Sequence, residues 1–328
     1  MILSRRLLLA GSLAAPAVIP SLARGQSTLP DKTIRIFVGF EAGGGADTIT
    51  RAIATQLERR LSHRVTVENR PGMAAALPGE IVKKGPTDGS QLAMLSSTTL
   101  VSRLTTKDFP FDPINDLAPI TLVGTYPMAF AVSPKLGVET FDDYLKWLKA
   151  GDQQRHKIGS TSSNALIQVL NILLSQSIGE TLVPTDYRGA VPLIVDLEEG
   201  RLPAAVTTIT SFLPAHRGKR LRILMTTGAK RLGVARDIPT ATELGYPKLE
   251  MQEWFAFFAS AKTPMPIVAE WNRRLATAIN DVAVVDQVRP LGLELHTSSS
   301  PDSITARIDS HRIEWEARMK EAGMKPII

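Results

Sequence analysis

Residues 33–61 constrain the fold more than any other stretch, because they encode a strand, a glycine-rich turn and a helix in succession. Residues 33–40 alternate apolar side chains with others, as a half-buried strand does, and Gly43-Gly44-Gly45 ends the alternation. A helix is predicted over about 46–61, where one apolar stripe repeats every four residues: Ile49, Ile53, Leu57 and Leu61. The chain therefore begins its folded part with a β-turn-α unit.

Similar units recur along the chain. We predict strands near 65–67 and 92–95, a strand ending at 158, strands near 204–207 and 221–225, and helices over 141–149 and about 164–177. Thr140 and Asp143 form a capping pattern at the start of the 141–149 helix. Alternating strands and helices predict an α/β protein with mostly parallel sheets.

Two stretches are typical of crossings between lobes. Residues 120–132 carry two apolar strands around Tyr126-Pro127, and residues 254–259 form an apolar strand that leads into Thr263-Pro264. After the second crossing the chain is helical, over 267–281, about 284–288 and 301–322. We predict a first lobe of residues 28–125 plus 260–328, a second lobe of 126–259, and a ligand cleft between them that closes about the two crossings.

The first 23 residues are typical of an export signal that is cleaved near Ala23, which would place the mature chain in the periplasm. Ser4-Arg5-Arg6 precedes an apolar stretch over 7–19, and Ser21-Leu22-Ala23 supplies small residues at a cleavage site. The stretch is too short to span a bilayer, which needs about 20 apolar residues. The two arginines resemble a twin-arginine signal, although any two arginines also serve the general secretion route.

Composition argues against several classes of function. The 38 Lys and Arg against 32 Asp and Glu give a net charge of +6, without a basic run of five, which argues against nucleic-acid binding. The absence of cysteine excludes disulfides, thiolate metal sites and cysteine nucleophiles. The five histidines fall at no metal-ligand spacing, and the sequence contains no Gly-x-Ser-x-Gly, Ser-x-x-Lys, His-Glu-x-x-His or complete Walker motif. We therefore predict neither a metal, a cofactor nor an enzymatic activity.

Two turns could bind anions. Gly43-Gly44-Gly45 exposes backbone N–H groups at a helix N-terminus, where the helix dipole favours a carboxylate; the third glycine of a dinucleotide fingerprint is missing. Residues 159–164, Gly-Ser-Thr-Ser-Ser-Asn, repeat the arrangement and add hydroxyl donors. If the turns face each other, one ligand with a carboxylate at each end would close the lobes. The alternative is that the glycines only permit a tight turn.

Several segments together resemble one family. Residues 40–47, Phe-Glu-Ala-Gly-Gly-Gly-Ala-Asp, resemble the Phe-Pro-Ala-Gly-Gly-Gly-x-Asp turn of the tripartite tricarboxylate transporter receptors, the Bug-type periplasmic binding proteins. Residues 67–72 match the family's Val-Glu-Asn-Arg-Pro-Gly, and residues 86–92 are similar to its Pro-x-Asp-Gly-Tyr-Thr-Leu. The resemblance covers 30–325.

The resemblance implies a two-lobed, type II-like periplasmic binding fold, with its ligand cleft between the lobes, that closes on a small organic carboxylate. It implies a monomeric receptor that delivers this ligand to the membrane permease of a tripartite transporter. A sensory partner of a membrane kinase and, with less support, a periplasmic enzyme acting on a small carboxylate remain as alternatives. The ligand-binding residues that it implies are Phe40, Glu41, Ala42, Gly43, Gly44 and Asp47 in the first turn, Ser160, Thr161 and Asn164 in the second, Tyr187, Arg188 and Gly189 nearby, and Ser97 and Thr98 after the 92–95 strand.

Some of these residues have a second interpretation, and some positions depart from the family. Asp47 would also complement the dipole of its helix, and Arg188 could be a solvated arginine at the rim. Glu41 replaces the usual Pro, Met73-Ala74-Ala75-Ala76 replaces glycines, and 162–165 replace a Gly-rich segment. We predict that Glu41 either points into solvent or meets an ammonium, amide or hydroxyl of the ligand, which would shift specificity away from simple dicarboxylates.

Overall fold

The computed structural model describes residues 29–61, 63–161, 165–296 and 298–327. The predicted export signal and Asn164 lie outside these residues. Within them, the strands are β1 (Ile34–Val38), β2 (Val65–Asn69), β3 (Gln91–Ser96), β4 (Leu117–Val132), β5 (Lys157–Ser160), β6 (Val183–Asp186), β7 (Ala204–Thr208), β8 (Arg222–Thr226), β9 (Gln252–Ser260) and β10 (Glu294–Leu295). The helices are α1 (Gly45–Leu61), α2 (Leu77–Lys84), α3 (Ser97–Val101), α4 (Phe141–Lys149), α5 (Ala165–Ile178), α6 (Ala190–Glu199), α7 (Ile209–Arg217), α8 (Met265–Ile279), α9 (Val282–Val288) and α10 (Pro301–Glu321).

Local sequence signals place the predicted elements to within a few residues. The apolar stripe of α1 is buried, with Ile49, Ile53 and Leu57 fully inaccessible, and each such side chain contributes about 1.5–3 kcal/mol of hydrophobic stabilisation. The predicted cap of α4 is present: Thr140 Oγ1 accepts the Asp143 N–H at 3.1 Å, and the Asp143 carboxylate accepts the Thr140 N–H at 3.2 Å. Among the described helices, none combines the length and apolarity that crossing a bilayer requires.

One continuous sheet joins the strands in the order β2-β1-β3-β9-β4-β7-β5-β6, with β8 and β10 also paired to β4. β1 runs parallel to β2 and β3, and β5 runs parallel to β6 and β7. The prediction of mostly parallel sheets is wrong, because β9 pairs antiparallel with β3 and β4, and β4 pairs antiparallel with β7, β8 and β10. The two central strands run against their neighbours and so link two parallel groups.

β4 is one strand of 16 residues, where we predicted two strands around Tyr126-Pro127. Pro127 is the last β4 residue in register with β9, opposite Gln252, and the next residue, Met128, pairs with Thr208 of β7. Proline cannot donate a ladder hydrogen bond, and here it occupies the point at which the strand exchanges one partner for another. The strand therefore continues through the proline and passes from one parallel group to the other.

Candidate ligand-binding site

A cavity of about 710 Å³ lies at the carboxyl ends of the parallel strands. Ligands of open α/β sheets bind at this edge. We call the lining residues that follow β1 and β2 the first wall: Gly39, Phe40, Glu41, Gly44, Gly45, Ala46, Pro71, Gly72, Met73, Ala74 and Ala75. We call those at or after the ends of β5, β6 and β7 the second wall: Thr161, Gln168, Tyr187, Arg188, Gly189, Ala190, Thr207, Thr208 and Ser211. Thr105 and Thr106 complete the lining.

Four helices begin at this cavity. α1 starts at Gly45 and α6 at Ala190, both in the lining, while α5 and α7 contribute Gln168 and Ser211 from their first turns. The first N–H groups of a helix lack partners within the helix, and the helix dipole adds partial positive charge there. Four such ends around one cavity favour a bound anion, and a carboxylate is the simplest organic one.

The turn of the first wall is organised by Asp47, which is buried behind it. The Asp47 carboxylate accepts the Gly43 N–H at 2.9 Å and hydrogen bonds from Arg51 Nε and Asn69 Nδ2, both at 2.9 Å. Asn69 Nδ2 also donates to the Phe40 carbonyl at 3.0 Å, which ties the end of β2 to the turn. Burial alone would raise the pKa of Asp47, but the hydrogen bonds from Arg51, Gly43 and Asn69 together lower it. Asp47 is therefore an ionised positioning residue that lies outside the cavity lining.

Hydroxyl groups hold the second wall together. Thr161 Oγ1 lies 2.9 Å from Thr207 Oγ1, which connects the end of β5 to the end of β7. Thr208 Oγ1 lies 3.0 Å from Thr210 Oγ1 and 3.1 Å from Ser211 Oγ at the start of α7. A hydroxyl can donate or accept by rotating its hydrogen. These groups can therefore reorient toward a ligand without moving the backbone.

Tyr187 forms part of the second wall through its ring rather than its hydroxyl. Its hydroxyl donates to Asp196 Oδ2 at 2.7 Å, and Arg201 holds Asp196 from the other side. Burial and the hydrogen bond to Asp196 raise the pKa of Tyr187 to about 12. On the opposite wall, the Phe40 ring meets Phe255 of β9 edge to face, with centroids 6.4 Å apart. Both aromatic rings are thus fixed by contacts outside the cavity.

The two walls touch at two glycines. The Gly45 N–H lies 3.4 Å from Ser211 Oγ, and a Cβ placed on Gly45 would lie 2.2 Å from Thr210 Oγ1. A Cβ on Gly189 would lie 3.0 Å from both Cβ and Cγ of Glu41. Gly189 also has φ +88°, which favours glycine on its own. The absence of a side chain at these positions lets the walls approach each other.

Seven of the predicted site residues line the cavity, and the other described ones lie elsewhere. The lining residues are Phe40, Glu41, Gly44, Thr161, Tyr187, Arg188 and Gly189. Ala42, Gly43 and Asp47 belong to the first turn but do not line this cavity, and Ser160 is buried at the end of β5, 3.4 Å from Asp186 Oδ1 through its hydroxyl. Asn164 is outside the described residues.

Ser97 and Thr98 are buried in a polar cluster away from the cavity. Ser97 Oγ donates to Glu253 Oε2 in a short hydrogen bond and accepts the Trp254 N–H at 3.0 Å. His311 Nε2 lies 3.2 Å from the same Glu253 oxygen, and Thr98 Oγ1 lies 2.6 Å from Ser96 Oγ. The cluster connects α3, β9 and α10, so these hydroxyls form hydrogen bonds in the protein interior and do not line the cavity.

Sequence reasoning missed two parts of the lining. Thr207 and Thr208 end a strand and Ser211 lies in the first turn of the next helix, the same pattern that identified residues 159–164. Residues 72–75 all have positive φ, at 119°, 48°, 52° and 67°, although only the first is glycine. No local pattern identified this left-handed run of the first wall.

The sheet and the position of its cavity define an α/β periplasmic binding protein, which confirms the predicted fold class. The fold superimposes on BugD with a TM-score of 0.84 at 22% identity, over 90% of this chain and 99% of BugD. It also matches MatC from Rhodopseudomonas palustris with bound malate (TM-score 0.80, 21% identity, 88% of this chain and 99% of MatC). A second R. palustris protein, solved with adipate, matches with a TM-score of 0.84 at 24% identity, over 91% of this chain and 99% of that protein.

The chain belongs to the tripartite tricarboxylate transporter family of receptors, whose sequence model matches residues 49–323. The predicted family is thereby confirmed, and it is a family of periplasmic solute-binding receptors. Protein BugT of Bordetella pertussis is 28% identical over 301 residues, which are 91% of each chain. A UPF0065 protein of Pseudomonas sp. is 27% identical over 322 residues, or 97% of this chain and 95% of the relative.

Proposed function

We propose that this protein is a non-enzymatic receptor for a small organic carboxylate, which it delivers to the permease of a tripartite tricarboxylate-type transporter. The observation that carries the proposal is the convergence of four helix N-termini on one cavity at the carboxyl edge of the sheet. Two neighbours in fold that were solved with malate and adipate support a ligand of this class. We propose further that it acts in the periplasm, as a monomer, after cleavage near Ala23.

In this proposal the ligand is held between the two walls. Backbone N–H groups at Gly44 and Ala190 and hydroxyls at Thr161 and Thr208 supply donors to a carboxylate. Such donors neutralise the anion without requiring a fixed counter-charge for each oxygen. Gln168 and Arg188 lie in the same lining and supply further donors.

Binding closes two lobes, residues 28–125 plus 260–328 and residues 126–259. The strand pairing supports one crossing in β4, which pairs with β9 up to Pro127 and with β7 from Met128 onward, whereas β9 pairs with β3 and β4. We therefore propose that the hinge in β4 lies near Pro127. Small-angle scattering is expected to give a smaller radius of gyration in the presence of a bound acid than in its absence.

The test is to identify an acid that the purified mature protein binds and does not convert. Native mass spectrometry of the protein as isolated, followed by calorimetry with malate, succinate, glutarate, adipate and citrate, should find at least one that binds. At 100 times its dissociation constant, that acid should stabilise the fold by about 2.7 kcal/mol in thermal unfolding. Failure of all these acids, and of the monoamides and ω-amino acids of the same lengths, would refute carboxylate binding.

Two further measurements separate this role from its rivals. Proton NMR of the bound acid over hours should show no product, whereas turnover would make the protein an enzyme. Affinity capture from solubilised membranes, with the ligand present, should recover permease subunits. Recovery of a membrane kinase in their place would assign the protein to sensing.

A further inference from the structure

The charged side chains of the cavity come from opposite walls. Among the described residues that line it, the charged ones are Glu41 of the first wall and Arg188 of the second. Among the residues that the structure describes, neither side chain has an ion-pair or hydrogen-bond partner. The side chains of the lining therefore carry no net charge, and the attraction for an anion comes from the helix N-termini together with Arg188.

Glu41 of the first wall approaches Gly189 of the second. Its Cβ and Cγ are the atoms nearest to Gly189, at 3.0 Å from the position that a Cβ would take there. Gly189 is the N-cap of α6, and no side chain caps that helix. The stem of Glu41 thus lies beside one of the four helix ends that the proposed ligand would use, and its carboxylate is one bond further along the side chain.

A carboxylate in this position discriminates between ligands by charge. A second carboxylate at this end of a ligand would meet the like charge of Glu41, an exposed side chain, and repulsion between like charges grows as a bound ligand displaces the water between them. An amide or ammonium group would instead donate a hydrogen bond to Glu41, and hydrogen bonds to a charged acceptor are the stronger kind. The carboxylate at the opposite end of the ligand would interact with Arg188 and the remaining helix N-termini.

We propose that Glu41 is a specificity residue that selects a ligand with a carboxylate at one end and an amide or ammonium at the other, over a dicarboxylate of equal length. The inference rests on the proposed function and narrows its substrate class. It assigns the replacement of the family's proline by Glu41 to ligand recognition.

The test is calorimetry on a matched ligand series with three proteins. The ligands are succinate, glutarate and adipate, the monoamide of each, and the ω-amino acid of each length. The proteins are the wild type, Glu41→Gln, and Asp286→Asn, which removes one exposed carboxylate on α9 outside the cavity lining. Thermal unfolding without ligand checks that both variants fold.

At the preferred length, the wild type should bind the monoamide or the ω-amino acid at least tenfold more tightly than the dicarboxylate. Glu41→Gln should tighten dicarboxylate binding at least fivefold and weaken ω-amino acid binding by a similar factor, and Asp286→Asn should change neither. Because the effect is electrostatic, the preference should shrink as salt rises from 50 to 500 mM.

Two outcomes would overturn the inference while leaving a carboxylate receptor in place. In the first, wild type and Glu41→Gln bind every ligand equally, so that Glu41 is a solvated loop residue. In the second, the variant gains affinity for dicarboxylates but loses none for the amides and amino acids, so that Glu41 only competes for the end of α6. If no member of the series binds any of the three proteins, the proposed function itself fails.

Discussion

The two walls of the cavity are held in place by different chemical groups. The first wall is held by a buried carboxylate, Asp47, which fixes the glycine turn through Gly43, Arg51 and Asn69. The second wall is held by hydroxyl pairs, such as Thr161 with Thr207. A charge with three donors is rigid and costly to disturb, whereas hydroxyls exchange partners readily. The first wall therefore keeps a fixed conformation before an anion binds, whereas the hydroxyls of the second wall can reorient toward the anion.

The largest effect is expected where the walls meet, from Gly45→Ala. The added methyl group would lie 2.2 Å from Thr210 Oγ1, so the walls must separate. We expect the affinity for the identified acid to fall at least 100-fold, equivalent to about 2.7 kcal/mol, in calorimetry. Gly44→Ala is the matched control, since the nearest atom to its added Cβ is 3.5 Å away. Equal losses in both variants would mean that the contact at Gly45 does not control binding.

The next largest effect tests the rigidity of the first wall, with Asp47→Asn. Loss of the buried charge weakens three hydrogen bonds, and we expect the free energy of unfolding at pH 7 to fall by about 2 kcal/mol. Because the pKa of Asp47 is lowered in the folded state, its contribution is present above the unfolded pKa and lost as pH falls through the folded one.

Urea titrations at several pH values measure this difference. The gap between wild type and Asp47→Asn should be widest near neutral pH and narrow in acid, while Asp286→Asn should follow the wild type throughout. A gap that does not change with pH would contradict the assignment of an ionised Asp47.

A smaller effect is expected in the second wall, from Thr161→Val. This change removes one hydroxyl of the pair with Thr207 and keeps the shape of the side chain. The free energy of unfolding should therefore fall by about 1 kcal/mol. Acid affinity should fall about fivefold, equivalent to about 1 kcal/mol. If Thr161→Val destabilises the fold as much as Asp47→Asn, the two walls do not differ in rigidity.

The smallest effect concerns the left-handed run of the first wall, with Ala74→Gly. Ala74 has φ 52° and ψ 38°, a conformation that costs a non-glycine residue about 1–2 kcal/mol. Glycine relieves this strain but loses about 0.5–1 kcal/mol in conformational entropy, so the net stabilisation should be about 0.5 kcal/mol in chemical denaturation. Ala76→Gly, at φ −81°, should destabilise instead. The same sign for both variants would show that strain at Ala74 is unimportant.

The candidate site could be predicted from sequence where its residues act through the local backbone. Gly43 and Gly44 lie between a strand and a helix, and the periodicity of 46–61 places that helix without further information. Ser97 carries no such signal. It follows a strand as the cavity hydroxyls do, yet it bonds to Glu253, 156 residues away, in the interior.

The sequence by itself determined the positions of many of the strands and helices, the glycine turn of the first wall and the family, because each depends on neighbouring residues. It did not predict β6 or the helices α2, α3, α6 and α7. Tertiary structure alone decided that β4 continues through Pro127, that α6 and α7 share a cavity with α1, and that Glu41 faces Gly189 across it. Those features depend on strand pairing and on contacts between segments more than 100 residues apart. Periodicity and turn propensity describe one segment at a time, and the charge pattern of the cavity exists only once the sheet has brought its walls together.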